Sequence, residues 1–176
     1  MNTLEQKMND AIWIAKELFD RGKATGSSAN LSFLHDGHIY ITGSGTCFGN
    51  LTTESFSEVS FQGQHLAGIN PSKELPLHKL YYEKSEEIQA VIHVHSFYAT
   101  IFSFLDHPDK TDIVPDYTPY LKMKVGTIGL VPYAKPGSNE LFGYFEKPRH
   151  SVMLLSLLIM GLLLAEHHLM ETFFRS

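Results

Sequence analysis

Gln89-Ala-Val-Ile-His-Val-His-Ser96 carries two histidines one residue apart inside an apolar, β-branched run. A strand sends alternate side chains to one face, so His93 and His95 aim into the same volume. A neutral imidazole nitrogen ligates zinc and similar divalent ions, and two ligands fixed on a stiff strand lose little entropy when the ion binds. The same spacing also suits two half-buried histidines satisfied by hydrogen bonds, and ten histidines in 176 residues make close pairs common.

A second stretch, Asn70-Pro-Ser-Lys-Glu74, precedes a run with Leu77, Leu80 and Tyr81 at helical spacing. A helix start attracts anions through its free amides and partial positive charge, with Ser72 adding a hydroxyl and Lys73 a cation. Ser72 is placed to cap that helix and Glu74 to sit at or just before its first turn, and the plain alternative is a cap with a solvated Lys-Glu pair. Gly26-Ser-Ser-Ala-Asn-Leu-Ser32 and Thr42-Gly-Ser-Gly-Thr46 are polar, flexible turns whose amides and hydroxyls suit an anion. On spacing alone, a simple connector from helix to strand is the better reading of the first.

Several elements must position these residues. Thr3-Leu-Glu-Gln6 reads as a capping box, followed by Leu4, Met8, Ala11, Ile12, Ala15, Leu18 and Phe19 at helical spacing up to Arg21-Gly22. Asp36-Gly37 joins Leu31–Leu34 to Ile39–Thr42 as a hairpin, and Gln62-Gly63 joins Ser57–Phe61 to Gln64–Ala67 as another. The histidine strand feeds a helix on which Phe97, Ile101, Phe102 and Leu105 form a stripe expected to be buried. Residues 106–119, with three prolines, read as a loop. A short strand is expected over Thr127–Pro132, a helix from Pro136 through Phe145, a strand over Val152–Leu155 and a closing helix over Leu162–Phe174.

Composition narrows the function classes. One domain over 1–176 suits a chain with 43% hydrophobic and 19% charged residues. A net charge of −5 without a basic cluster argues against nucleic acid as the main partner. The apolar run Ser151–Ala165 falls short of the ~20 residues that span a bilayer, so no membrane is expected. Cys47 is the single cysteine, and with a polar N-terminus it fits a cytoplasmic protein.

The ordered set of motifs resembles the class II aldolase and adducin-domain family over nearly the whole chain. It comprises a Gly/Ser-rich turn ending in Asn30-Leu-Ser32, the Ile41-Thr-Gly-Ser-Gly45 loop, Pro71-Ser-Lys-Glu74, Val91-Ile-His-Val-His-Ser96, and Val131-Pro-Tyr133 before Pro136-Gly137. With Thr118-Pro-Tyr120 and Met123-Lys-Val-Gly126, it looks most like the 3-oxo-tetronate 4-phosphate decarboxylase group, with fuculose-phosphate aldolases as neighbours. The resemblance implies an α/β/α three-layer fold on a mainly antiparallel sheet and a homo-oligomer, usually a tetramer, with active sites between subunits. It also implies Zn2+ or another divalent cation on His93, His95 and Glu74. By the same likeness Asn30, Ser44, Gly45, Ser72 and Lys73 hold the phosphate of a small phosphorylated sugar or keto acid, and Glu74 and Tyr120 are catalytic.

Carbon–carbon cleavage beside a carbonyl leaves an enediolate, whose charge a chelating divalent ion stabilises while a carboxylate such as Glu74 carries the proton. Aldol cleavage and decarboxylation share that intermediate. The chain departs from the family where a third histidine, in a context like Asn-His-Gly, normally follows the 151–155 strand. Here the sequence is Ser156-Leu-Leu-Ile-Met-Gly161, and the C-terminal part reads as shortened. A non-catalytic adducin-like binding or assembly module is therefore an alternative to the lyase, as is a sugar-phosphate epimerase of the same superfamily.

Overall fold

The computed structural model describes residues 3–115, 117, 119, 123, 128–135, 138–146 and 162–166. Helix α1 (Leu4–Asp20) opens with the expected capping box: Gln6 N–H donates to Thr3 Oγ1 at 3.2 Å, and Thr3 N–H donates to Gln6 Oε1 at 2.8 Å. Both expected hairpins form, β1 (Asn30–His35) with β2 (His38–Thr42) and β3 (Phe56–Ser60) with β4 (His65–Gly68). The first turns through Asp36 and Gly37, whose φ angles of 48° and 79° place both in the left-handed region that a two-residue hairpin loop requires. After α2 (Leu75–Lys84) the chain enters β5 (Ala90–Val94), α3 (Phe97–Ser103), α4 (Asn139–Glu146) and β6 (Leu162–Glu166).

The six strands lie in the order β4-β3-β2-β1-β5-β6, every neighbouring pair antiparallel. Strand alternation divides them between two cores. Leu31, Phe33, Tyr40, Phe56, Ala90, Ile92 and Val94 pack with Ala11, Ile14 and Ala15 of α1. Ile39, Ile41, Val59 and Val91 pack on the opposite side with Leu77, Tyr81 and Tyr82 of α2 and Leu141 and Phe145 of α4. This is the three-layer α/β/α arrangement. Among the described residues no helix is long and apolar enough to cross a membrane.

Three expectations are corrected. Residues 162–166 form strand β6, from Ala90 opposite Glu166 to Val94 opposite Leu162, instead of starting a helix. A short apolar run is ambiguous between the two, and the edge of β5 offers a complete hydrogen-bonding ladder. Residues 128–132 make no regular strand: Ile113 N–H donates to Ile128 O and Leu130 N–H to Lys110 O, both at 2.8 Å, in an irregular segment. The α3 stripe is largely exposed, with Phe97 at 71%, Ile101 at 47% and Leu105 at 54% of full exposure, because the helix turns Ala99 and Phe102 instead onto the small cluster of Ile113, Ile128 and Leu130. The strand expected at Val152–Leu155 lies outside the described residues.

Candidate active site

At the start of α2, three strand residues that face this helix instead of α1 are polar: Asn30 and Ser32 on β1 and His93 on β5. Asn30 lies opposite His93 in the register. All three are buried. Buried polar groups need partners, and α2 supplies them at four-residue spacing, one below another on one helix face: Glu74, His78 and Tyr82. Asn30 Nδ2 donates to Glu74 Oε2 at 2.7 Å, and the His93 imidazole Nδ1 is hydrogen-bonded to the same oxygen. His78 Nε2 lies 2.5 Å from Asn30 Oδ1, and its Nδ1 lies 2.7 Å from Ser32 Oγ. Ser32 Oγ is in turn 2.6 Å from the Tyr82 hydroxyl.

The electrostatics follow from burial and these contacts. Burial pushes the Glu74 carboxyl upward, but the hydrogen bond and charge of His93 and the bond from Asn30 outweigh it and bring the pKa down to about 2. His78 is completely buried, and desolvation, with the charge of His93, pushes it down to about 3 against the opposing pull of Glu74. Desolvation also lowers His95, again aided by His93 and opposed by Glu74. The His95 ring, just past the end of β5, stacks on His93 with centroids 4.9 Å apart.

Beside Glu74 two loops are zipped together. Gly43 bridges Pro71, Ser44 N–H donates to Asn70 O at 2.9 Å, and Ser72 N–H donates to Thr42 O at 3.2 Å. A β-carbon on Gly43 would stand 2.1 Å from Ile69 Cδ1 and 3.1 Å from Asn70 O, so any other residue there would have to displace the Ile69 side chain and press on the facing loop. Gly45 turns the first loop with φ 81°. Ser44, Gly45, Ser72 and Lys73 thereby come together at the rim, with Ser44, Gly45 and Lys73 exposed. Ser72 is not the helix cap: Glu74 occupies that position, and Ser72 Oγ accepts Glu74 N–H at 3.3 Å in the turn before it.

The donor set suits a divalent ion in part. His93 and His95 offer two neighbouring imidazoles, and the Nδ1–H tautomer that His93 needs to donate to Glu74 puts its lone pair on Nε2. Glu74 is engaged with His93 and Asn30 through Oε2, and neither bond uses Oε1. Among the described residues no three His, Cys, Asp or Glu side chains are already grouped to hold an ion. Tyr120, His150, His167, His168 and the 156–161 segment lie outside the described residues.

His78 and Tyr82 did not enter the sequence reading, and Ser32 entered it only as the end of a Gly/Ser-rich turn. Their signal was present: polar residues at 74, 78 and 82 interrupt the buried stripe of α2, and polar residues at 30 and 32 share a parity in an otherwise apolar strand.

Comparison with known proteins extends these observations. Residues 9–174 match the model of the Class II Aldolase and Adducin N-terminal domain. The 3-oxo-tetronate 4-phosphate decarboxylase of Escherichia coli K12 is 39% identical over 140 residues, covering 78% of this chain and 66% of that protein. The L-fuculose phosphate aldolase of Methanococcus vannielii is 33% identical over 148 residues, 84% of this chain and 78% of that protein. The crystal structure of YgbL from Klebsiella pneumoniae superposes with a TM-score of 0.90 at 34% identity, covering 98% of this chain and 84% of that one. The chain thus spans about two thirds of the length of the decarboxylase it matches. A match over nearly the full sequence, agreeing with the sheet and its helical layers, means that the chain belongs to the class II aldolase and adducin N-terminal domain family.

Proposed function

We propose that this chain is a metal-dependent lyase that cleaves a carbon–carbon bond in a small sugar phosphate or keto-acid phosphate, by aldol cleavage or decarboxylation. One observation carries the reading: a partly buried carboxylate, Glu74, is clamped between Asn30 and His93 at the start of α2, beside a rim of hydroxyls and backbone amides. His93 and His95, with Glu74, would hold Zn2+ or a similar divalent ion, which supplies Lewis-acid stabilisation to the negative charge of the enediolate. The substrate phosphate sits on Ser44, Gly45, Ser72 and Lys73 at the start of α2, with Asn30 at the inner edge of that site. Tyr120 completes the set as a second catalytic group.

Glu74 moves the proton. At rest the His93 hydrogen bond keeps it charged and a weak base. Releasing that bond leaves burial dominant and raises the carboxyl toward the range in which it takes a proton from a hydroxyl or returns one to carbon. The exposed apolar face of α3, with Tyr98 at 76% exposure, supports a homo-oligomer, which we read as a tetramer. The curated relatives named above as decarboxylase and aldolase favour the lyase over a non-catalytic module.

Metal analysis of the purified protein, followed by product assay on a panel of phosphorylated keto sugars and keto acids, tests the reading. Zinc uptake with cleavage of at least one panel member is expected, and His93→Ala and His95→Ala should each lose that uptake. Unchanged zinc affinity in both variants, with no product from any panel member, would leave the non-catalytic module ahead.

A further inference from the structure

The buried polar row between α2 and the sheet has a direction, and one charge fixes it. Glu74 is an acceptor only, so Asn30 must present Nδ2 to it at 2.7 Å and turn Oδ1 the other way. Oδ1 cannot donate, so the atom 2.5 Å away, His78 Nε2, carries the proton. His78 has no exposure to water and is neutral, so its Nδ1 holds a lone pair and takes the single proton of Ser32 Oγ at 2.7 Å. Ser32 has then spent its proton and accepts from the Tyr82 hydroxyl at 2.6 Å. Reversing any one link sets two donors or two acceptors against each other in a dry interior, where an unsatisfied polar group is costly.

We propose that His78 is a positioning residue: the Glu74 charge turns the Asn30 amide, and the His78 Nε2–H holds its Oδ1 so that Nδ2 stays on Glu74 beside the bond from His93. Ser32 and Tyr82 act with it by holding the His78 ring in its own Nε2–H tautomer. Without the His78 donor Asn30 Oδ1 loses its partner in the buried row, and the side chain turns away to find another. Glu74 then loses the Nδ2 bond and keeps the bond from His93. The inference does not depend on the lyase reading, since it concerns the protein without metal or substrate.

The experiment is nitrogen-resolved NMR of the metal-free full chain labelled with 15N-histidine. In the unmutated protein His78 should show protonated Nε2 with unprotonated Nδ1, and His93 protonated Nδ1. A protonated Nδ1 on neutral His78 would reverse the row and overturn the assignment, with no variant needed. His78→Leu removes the donor to Asn30, whereas His78→Gln keeps an N–H at the position of Nε2. With side-chain 15N-asparagine labelling added, the Asn30 amide protons should lose their slow exchange with water in the leucine variant and recover it in the glutamine variant. A leucine variant that folds and keeps a protected Asn30 amide would show that His78 only fills space. If that variant does not fold, the tautomers of the unmutated protein still decide.

Discussion

The two faces of strands β1 and β5 are made from alternate residues of the same few positions, yet they do different work. Toward α1, Leu31, Phe33, Ala90, Ile92 and Val94 form a dry apolar layer. Toward α2, Asn30, Ser32 and His93 interrupt the apolar residues and are answered by Glu74, His78 and Tyr82. The lesson is one of cost. The first face gains stability directly from burial, while the second gives up apolar burial to hold a charge and three ring or amide groups in fixed orientations. A rigid scaffold on one side makes the polar arrangement on the other sustainable.

Substitutions on the two faces should separate function from stability. The largest effect is expected from Glu74→Gln, which keeps an acceptor oxygen for His93 but cannot carry a proton: turnover should fall about 10²–10⁴-fold in the product assay, well beyond the stability that the lost carboxylate charge removes above pH 4.5. Phe33→Ala, on the α1 face, should do the opposite. It removes a fully buried ring that stacks on Tyr40, and should cost roughly 3–5 kcal/mol by urea unfolding with unchanged zinc affinity of the folded fraction.

Acid should strike the α2 face next. The His78 pKa falls from 6.5 in the unfolded chain to about 3 in the folded one, so below pH 6.5 only the unfolded state takes up the proton. Stability should therefore decline as pH falls from 6.5 toward 3, by at most about 1.4 kcal/mol per pH unit from this group. Glu74, lowered from 4.5 to about 2, adds stability that is present above pH 4.5 and lost as pH drops through 2. Urea titrations from pH 7 to 3 should show the His78→Gln curve flattened between 6.5 and 4.5 and the Glu74→Gln curve flattened only below 4.5. The smallest effect belongs to Tyr98→Ser: at 76% exposure it should change protomer stability by less than about 0.5 kcal/mol, while light scattering reports whether it weakens association.

Local chemistry explains what could be read in advance. The capping box of α1, the Asp36-Gly37 hairpin and the strand carrying His93 depend on neighbours within a few residues, and each formed as the sequence implies. The burial of α3 and the identity of residues 162–166 depend on distant partners, which periodicity alone does not encode. In the site, His93 and Glu74 stood out because their types are reactive. His78 and Tyr82 passed as ordinary helix positions, since their meaning appears only when β1 lies against them. Ser72 was misread for a related reason: Pro76 and the bridge from Gly43 to Pro71 set where α2 begins, two residues later than the hydroxyl pattern suggests.

The far margin of the sheet carries a consequence for solubility. Strand β4 is exposed at all four of its residues, and among the described residues no strand pairs with its outer edge. Such an edge invites strand addition and fibrous growth. A register shift between Glu58 and Val59 breaks the regularity of the ladder behind it. Only about two of its residues can direct backbone groups outward, because hydrogen-bonding positions alternate along an antiparallel edge. A docking strand would order several residues at about 1–2 kcal/mol each for that return, so brevity and irregularity guard this margin.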